Sequence, residues 1–187
     1  MNILHDADIR DELCDYLEEK YGKVRFFDEL TIGKSRADIV LVTEMGLIGA
    51  EIKSDADTYD RLARQIKDYD RFFDYNYVVV GTSHAKHIRE HVPDYWGVIT
   101  VEAVGNKLDF YMLREPDMSP KIRLTNQLSL LWKSEFAIIQ KQNGLYKYQG
   151  KSKAYIKKYL LESVPKDILK KEMIEVLYER DYSVFNE

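Results

Sequence analysis

The chain has 187 residues, 45% of them hydrophobic and 12% aromatic, which is enough for a packed core and too much for wholesale disorder. Its one cysteine, Cys14, excludes an internal disulfide and a cysteine-based zinc site. The net charge of −4 argues weakly against a nucleic-acid partner, no apolar run is long enough for a bilayer, and the polar start MNILHDADIRDEL is unlike a leader, so a cytoplasmic protein is expected.

Residues 8–20 put Ile9, Leu13, Tyr16, Leu17 and Lys20 at helical spacing, with Gly22 as the stop. VRFFDEL (24–30) is β-prone and leads into a turn around Gly33. ADIVLV (37–42) and LIGAEIK (47–53) follow as strands joined through Thr43–Gly46 in a hairpin-like connection. A helix is expected from about Asp57 to Phe73, with Leu62, Ile66 and Phe73 toward the core. YVVVG (77–81) is wholly apolar, as buried strands are. A helix from about His84 to His91 stops before Pro93. WGVITVE (96–102) and LDFYMLRE (108–115), divided by Gly105-Asn106, read as a closing hairpin.

From Leu124 the period is helical, with breaks near Asn143-Gly144, Gly150 and Pro165. The expectation is therefore a mixed α/β core over residues 1–118 and a helical basic region over 119–187 packed on it. Charge divides in the same way. Residues 1–120 carry 15 basic and 24 acidic side chains, 121–160 carry nine and one, and 161–187 carry four and seven. The middle block suits a phosphate-binding arm and equally a lysine-rich solvated helix.

The chemistry-bearing residues gather around the two central strands. Side chains alternate along a strand, so Glu51 and Lys53 point one way and Ile52 the other, into the core. If the strands pair as a hairpin, Asp38 at the start of one lies opposite the end of the other. Two carboxylates, with the Ile52 carbonyl, make a hard oxygen site suited to Mg²⁺. Such an ion activates water and offsets phosphate charge, and an adjacent lysine orients water or phosphate. On the following helix Asp57, Arg61, Gln65 and Tyr69 recur every four residues as one polar stripe. Asp60, Arg64 and Asp68 form a neighbouring ladder that reads as a solvated face.

Asp38, then Glu51-Ile52-Lys53, then Gln65 through Tyr69, resembles the PD-(D/E)XK nuclease superfamily, and within it the RecB-like branch with its D…ExK…QxxxY signature. The segment from Glu51 to Tyr69 also looks like a small group of bacterial and phage proteins of that superfamily. The resemblance spans residues 8 to about 81 and departs at Ala37, where the superfamily's name has proline. It implies a restriction-endonuclease-like α/β core, a mixed, mainly antiparallel sheet flanked by helices, and Mg²⁺- or Mn²⁺-dependent hydrolysis of DNA. It implies that Asp38 and Glu51 ligate metal, that Lys53 acts on water and phosphate, and that Gln65 and Tyr69 support the site. Glu12 matches an acidic position that completes the site in many members, with Asp11 and Asp15 as neighbouring alternatives.

Lys34, Arg36, Arg61, Lys147, Lys151, Lys153, Lys157 and Lys158 are the candidate DNA contacts, the last five interleaved with tyrosines. The alternative function is a non-catalytic DNA- or protein-binding module on the same fold, as a homodimer or within a larger repair or defence complex. His87-Ile88-Arg89-Glu90-His91 matches the H-x-x-E-H zinc motif, but a short surface helix is the simpler reading.

Overall fold

The computed structural model describes residues 6–54, 58–82, 84–105, 107–148 and 150–182. It forms two compact units, residues 1–122 and 123–187. The first is a helix-flanked sheet of six strands in sequence order: β1 (Arg25–Ile32), β2 (Ser35–Thr43), β3 (Gly46–Lys53), β4 (Tyr75–Gly81), β5 (Gly97–Val104) and β6 (Lys107–Arg114). Strands β1–β2, β2–β3 and β5–β6 pair antiparallel, whereas β3–β4 and β4–β5 pair parallel. The sheet is thus mixed and mainly antiparallel, as the sequence leads one to expect. Each parallel pair needs a crossover. The connections are α2 (Leu62–Phe72) between β3 and β4, and the single-turn α3 (Ile88–His91) between β4 and β5.

One sheet face is covered by α1 (Asp6–Tyr21). Ile9, Leu13 and Leu17, at i, i+4 and i+8, are fully buried in one cluster with Ile39, Leu41, Ile48 and Ile52. The α1 helix ends at Gly22 (φ 74°), whose N–H reaches the Glu18 carbonyl at 2.8 Å. Cys14 packs at the edge of this cluster, and burial reinforced by nearby Asp28 pushes its thiol up to about 12. It is a packing residue.

Helix α2 serves the other face. It is shorter than expected, and the core positions are Leu62, Tyr69 and Phe72, with Phe73 just beyond, while Ile66 is only half-buried. A Cβ at Gly49 would lie 2.3 Å from the Phe73 ring, so glycine there sets how closely the helix approaches β3. Polar locks hold the helix end. Asp74 accepts from Leu47 N (2.9 Å), and fully buried Asp70 accepts from Trp96 Nε1 (2.9 Å), Tyr95 Oη (2.6 Å) and Lys121 Nζ (3.1 Å). Ser119 joins them, its Oγ donating to the Asp70 carbonyl at 2.8 Å. These bonds tie residues 119–121 to the first unit.

The second unit comprises α4 (Leu124–Gln127), a 3-10 turn (Leu128–Leu130), α5 (Lys133–Gln142), α6 (Lys153–Ser163) and α7 (Lys166–Tyr178). Its buried ion pair joins Glu135 to Arg180, with Nε–Oε1 at 2.6 Å and Nη2–Oε2 at 2.8 Å. Arg180 also donates to the Leu130 carbonyl and lies 4.2 Å above the Trp132 ring. No helix among the described residues is long and apolar enough to cross a membrane.

Gly49→Ala should force the Phe73 ring off β3 and cost about 1–3 kcal/mol, the usual range for overpacking. Urea unfolding measures this directly, and an unchanged midpoint would mean that Phe73 has room to yield.

Candidate active site

Strands β2 and β3 place two carboxylates on one face. Their paired register ends at Ile39 opposite Ala50, and one step further sets Asp38 opposite Glu51. Ile39, Ala50 and Ile52 point into the core beneath α1, so Asp38, Glu51 and Lys53 share the face toward α2. Asp38 is half-exposed, whereas Glu51 and Lys53 are buried.

Glu51 is the hub. Its Oε1 accepts from Lys53 Nζ (2.6 Å) and from Gln65 Nε2, and its Oε2 accepts from Tyr69 Oη (2.7 Å). Lys53 also donates to Gln65 Oε1 at 3.2 Å. Asp38 joins from two sides: its Oδ2 accepts from Ile52 N (2.8 Å), and its own N–H donates to Tyr69 Oη (3.2 Å). Five residues from β2, β3 and α2 are therefore tied into one network. Complete burial, with the Glu51 and Asp38 charges beside it, holds the Tyr69 hydroxyl well above the usual tyrosine range, so the ring stays a neutral donor.

The remaining candidates lie apart from this network. Glu12 sits on α1 and accepts from Leu108 N at 2.9 Å, at β6, three strands from β3. Its carboxylate is engaged by a strand backbone, and among the described residues no bond joins it to the network around Glu51. Lys34 and Arg36 are exposed; Arg36 Nη2 pairs with Glu29 Oε1 at 3.1 Å. Arg61 is exposed just ahead of α2. Asp57 lies outside the described residues.

In the second unit Lys147, Lys151 and Lys158 are exposed and Lys157 is half-buried. Lys151 lies over the Tyr155 ring, and Lys158 pairs with Glu162 at 3.7 Å. Lys153 is exposed too, with its Nζ donating to the Ser129 carbonyl at 3.2 Å, and partial desolvation lowers its pKa. The histidine motif spans a single turn: His91 stacks on Tyr59, and His84 Nδ1 lies 2.9 Å from Tyr59 Oη. Among the described residues no three His, Cys, Asp or Glu side chains form a metal-holding group.

A model of one family, described as bacteriophage P4 protein cII, matches residues 1–186. The chain belongs to the bacteriophage P4 protein cII family. No curated protein sequence matches this member of the family. Solved structures to which it is similar include the following two. One is the SPO1766 protein of unknown function from Silicibacter pomeroyi, with 17% identity and a TM-score of 0.45 over 72% of this chain and 87% of that one. The other is SfsA from Pyrococcus furiosus in complex with Ca²⁺, with 14% identity and a TM-score of 0.36 over 63% of each chain.

Two neighbours of the network escape a sequence reading of this family member. Glu29 faces Asp38 across a gap in the β1–β2 pairing, at φ 52°, the one positive φ outside glycine among the described residues. Such a backbone costs of order 1–3 kcal/mol and has no sequence signature. Asp68, assigned above to a solvated ladder, accepts from Lys34 N (3.1 Å) and Ser35 Oγ (2.7 Å) and so ties α2 to the β1–β2 turn. Only the pairing of strands against α2 reveals that contact.

Removing one partner of the buried Glu51–Lys53 pair strands the other charge. Lys53→Met should therefore cost about 3 kcal/mol, and the Glu51→Gln/Lys53→Met double variant less than the sum of its singles. Additive costs by urea unfolding would show that the pair is solvated. The Tyr69 proton is held more tightly in the folded state than in the unfolded chain. Its contribution to stability is complete below pH about 10 and falls as pH rises beyond that value. Tyr69→Phe should make the alkaline decline shallower in unfolding curves taken across that range.

Proposed function

We propose that the chain is a metal-dependent nuclease that hydrolyses DNA phosphodiester bonds on a restriction-endonuclease-like core of the PD-(D/E)XK type. One observation carries the reading: Asp38, Glu51, Lys53, Gln65 and Tyr69, the residues of the D…ExK…QxxxY pattern, converge in a single network. Chance surface residues at this spacing have no reason to meet.

The donor set fits a hard divalent cation. Two carboxylates on adjacent strands supply oxygen ligands, and the network already accommodates a cation, since Lys53 Nζ sits against Glu51 and Gln65. Asp38 and Glu51 would hold Mg²⁺ or Mn²⁺, with the Ile52 carbonyl as a further donor. Such an ion, when bound, supplies an activated water and offsets charge on the scissile phosphate.

The chain's own groups do the positioning. Tyr69 fixes Glu51 by donating to it and fixes the Asp38 backbone by accepting from it. Gln65, half-exposed at the rim, bridges Glu51 and Lys53 and keeps an amide near any group entering from solvent. Lys53, once drawn off Glu51, offers its ammonium to a phosphate oxygen or to the attacking water. Lys34, Arg36 and Arg61 are the exposed cations expected to meet the DNA backbone.

A non-catalytic binding module is the second reading, and one feature favours it. The Glu51 carboxylate is satisfied by the protein's own donors at both oxygens, as a purely structural network would be.

Cleavage of labelled single-stranded and duplex DNA, with and without Mg²⁺ or Mn²⁺, decides between them. Wild type should cut only with the metal, and Glu51→Ala and Lys53→Ala should each lower the rate by about 10²-fold or more while their melting curves still show folded protein. Absence of metal-dependent cutting, or full rates in both variants, overturns the proposal.

A further inference from the structure

The second unit carries a groove of about 530 Å³, a size typical of ligand sites. Its floor is apolar, from Ala137 and Ile138 of α5, Ile156 of α6 and the ring of Tyr148. Three lysines line it: Lys133 in the first turn of α5, Lys141 in the last, and Lys147. Lys133 and Lys141 are eight residues apart, or about 12 Å along the axis. None of the three is paired with a carboxylate among the described residues. The 145–148 segment is held against α5, since Leu145 N and Gln140 Nε2 bond to the Gln140 and Tyr146 carbonyls at 2.8 and 2.6 Å.

Charge along the 133–160 stretch is more one-sided at the surface than in the sequence. Residues 133–160 contain seven lysines and one acid, Glu135. That acid is buried in its pair with Arg180, so no carboxylate from this stretch offsets the lysines at the surface. Beside the groove stands a tyrosine cluster. Tyr148 makes edge contacts with Tyr146, Tyr155 and Tyr159 at 4.8–5.2 Å, and Tyr146 is 70% exposed.

We infer that this groove binds single-stranded nucleic acid, with Lys133, Lys141 and Lys147 on the phosphates and the tyrosine edge against unstacked bases. Separated cations, an apolar floor and exposed rings are the combination by which single strands are held without reading their sequence. An acidic peptide would use the lysines, but its acidic side chains have no rings to set against the tyrosines. A duplex would meet the lysines but keeps its bases stacked. The inference stands apart from the nuclease reading, because it concerns binding alone.

The test is anisotropy of a labelled thymidine strand of about 20 nucleotides, longer than the ~4–16 that such sites cover, with full-length protein in EDTA so that no cleavage intervenes. The Lys133→Ala/Lys141→Ala/Lys147→Ala variant should bind at least about tenfold more weakly, and its log–log salt slope should fall by about two, near 0.7 per lost phosphate contact. Lys166→Ala/Lys171→Ala, on α7, should stay within about twofold of wild type. Tyr148→Leu should reduce quenching of a 2-aminopurine base in the strand, a signal that charge alone does not produce. Equal or tighter binding of duplex, competition by oligoglutamate as strong as by the strand, or unchanged binding by the triple variant would each overturn the inference.

Discussion

The site depends on a match of two periods. Two residues of strand advance about 6.6 Å and four residues of helix about 6 Å, so a helix antiparallel to a strand keeps its i, i+4 stripe over alternate strand residues. Here Phe73 lies over Gly49, Tyr69 bonds to Glu51, and Gln65 bonds to Glu51 and Lys53. The apolar end of the stripe fixes the height of the helix, and the polar end then falls on the carboxylate. Asp70 and Asp74 keep the helix from sliding, through bonds to Trp96 and to the Leu47 backbone.

That arrangement explains how a buried charge pair is tolerated. Glu51 and Lys53 are nearly removed from water, and ion pairs in that position rarely repay their desolvation unless other donors complete them. Gln65 and Tyr69 do so, the latter as a hydroxyl that burial keeps protonated. Asp38, held by a backbone N–H and left half-exposed, is the carboxylate that solvent reaches.

The two units place opposite charges differently. In the first, carboxylates are drawn inward as hydrogen-bond acceptors at Glu51, Asp70 and Asp74. In the second, the one acid of the basic block is drawn inward and most of its lysines stay out. Burial thus decides which part of a segment's formal charge a partner can meet.

The sequence by itself determined the elements and the sharing of faces. Period-two alternation put Glu51 and Lys53 on one side with Ile52 opposite. The four-residue spacing put Gln65 and Tyr69 in line, and the apolar runs marked the strands. These are properties of local geometry, legible wherever the period is clean. Only the tertiary structure decided what depends on which elements meet. Glu12 reads from the sequence as a candidate site acid, yet packing against β6 gives its carboxylate a bond from Leu108 N. Asp68 reads as solvated until the β1–β2 turn arrives beside it. The strained Glu29 and the pairing of Glu135 with Arg180, 45 residues apart, leave no local trace, because a contact between distant segments is set by packing and not by the chain's own period.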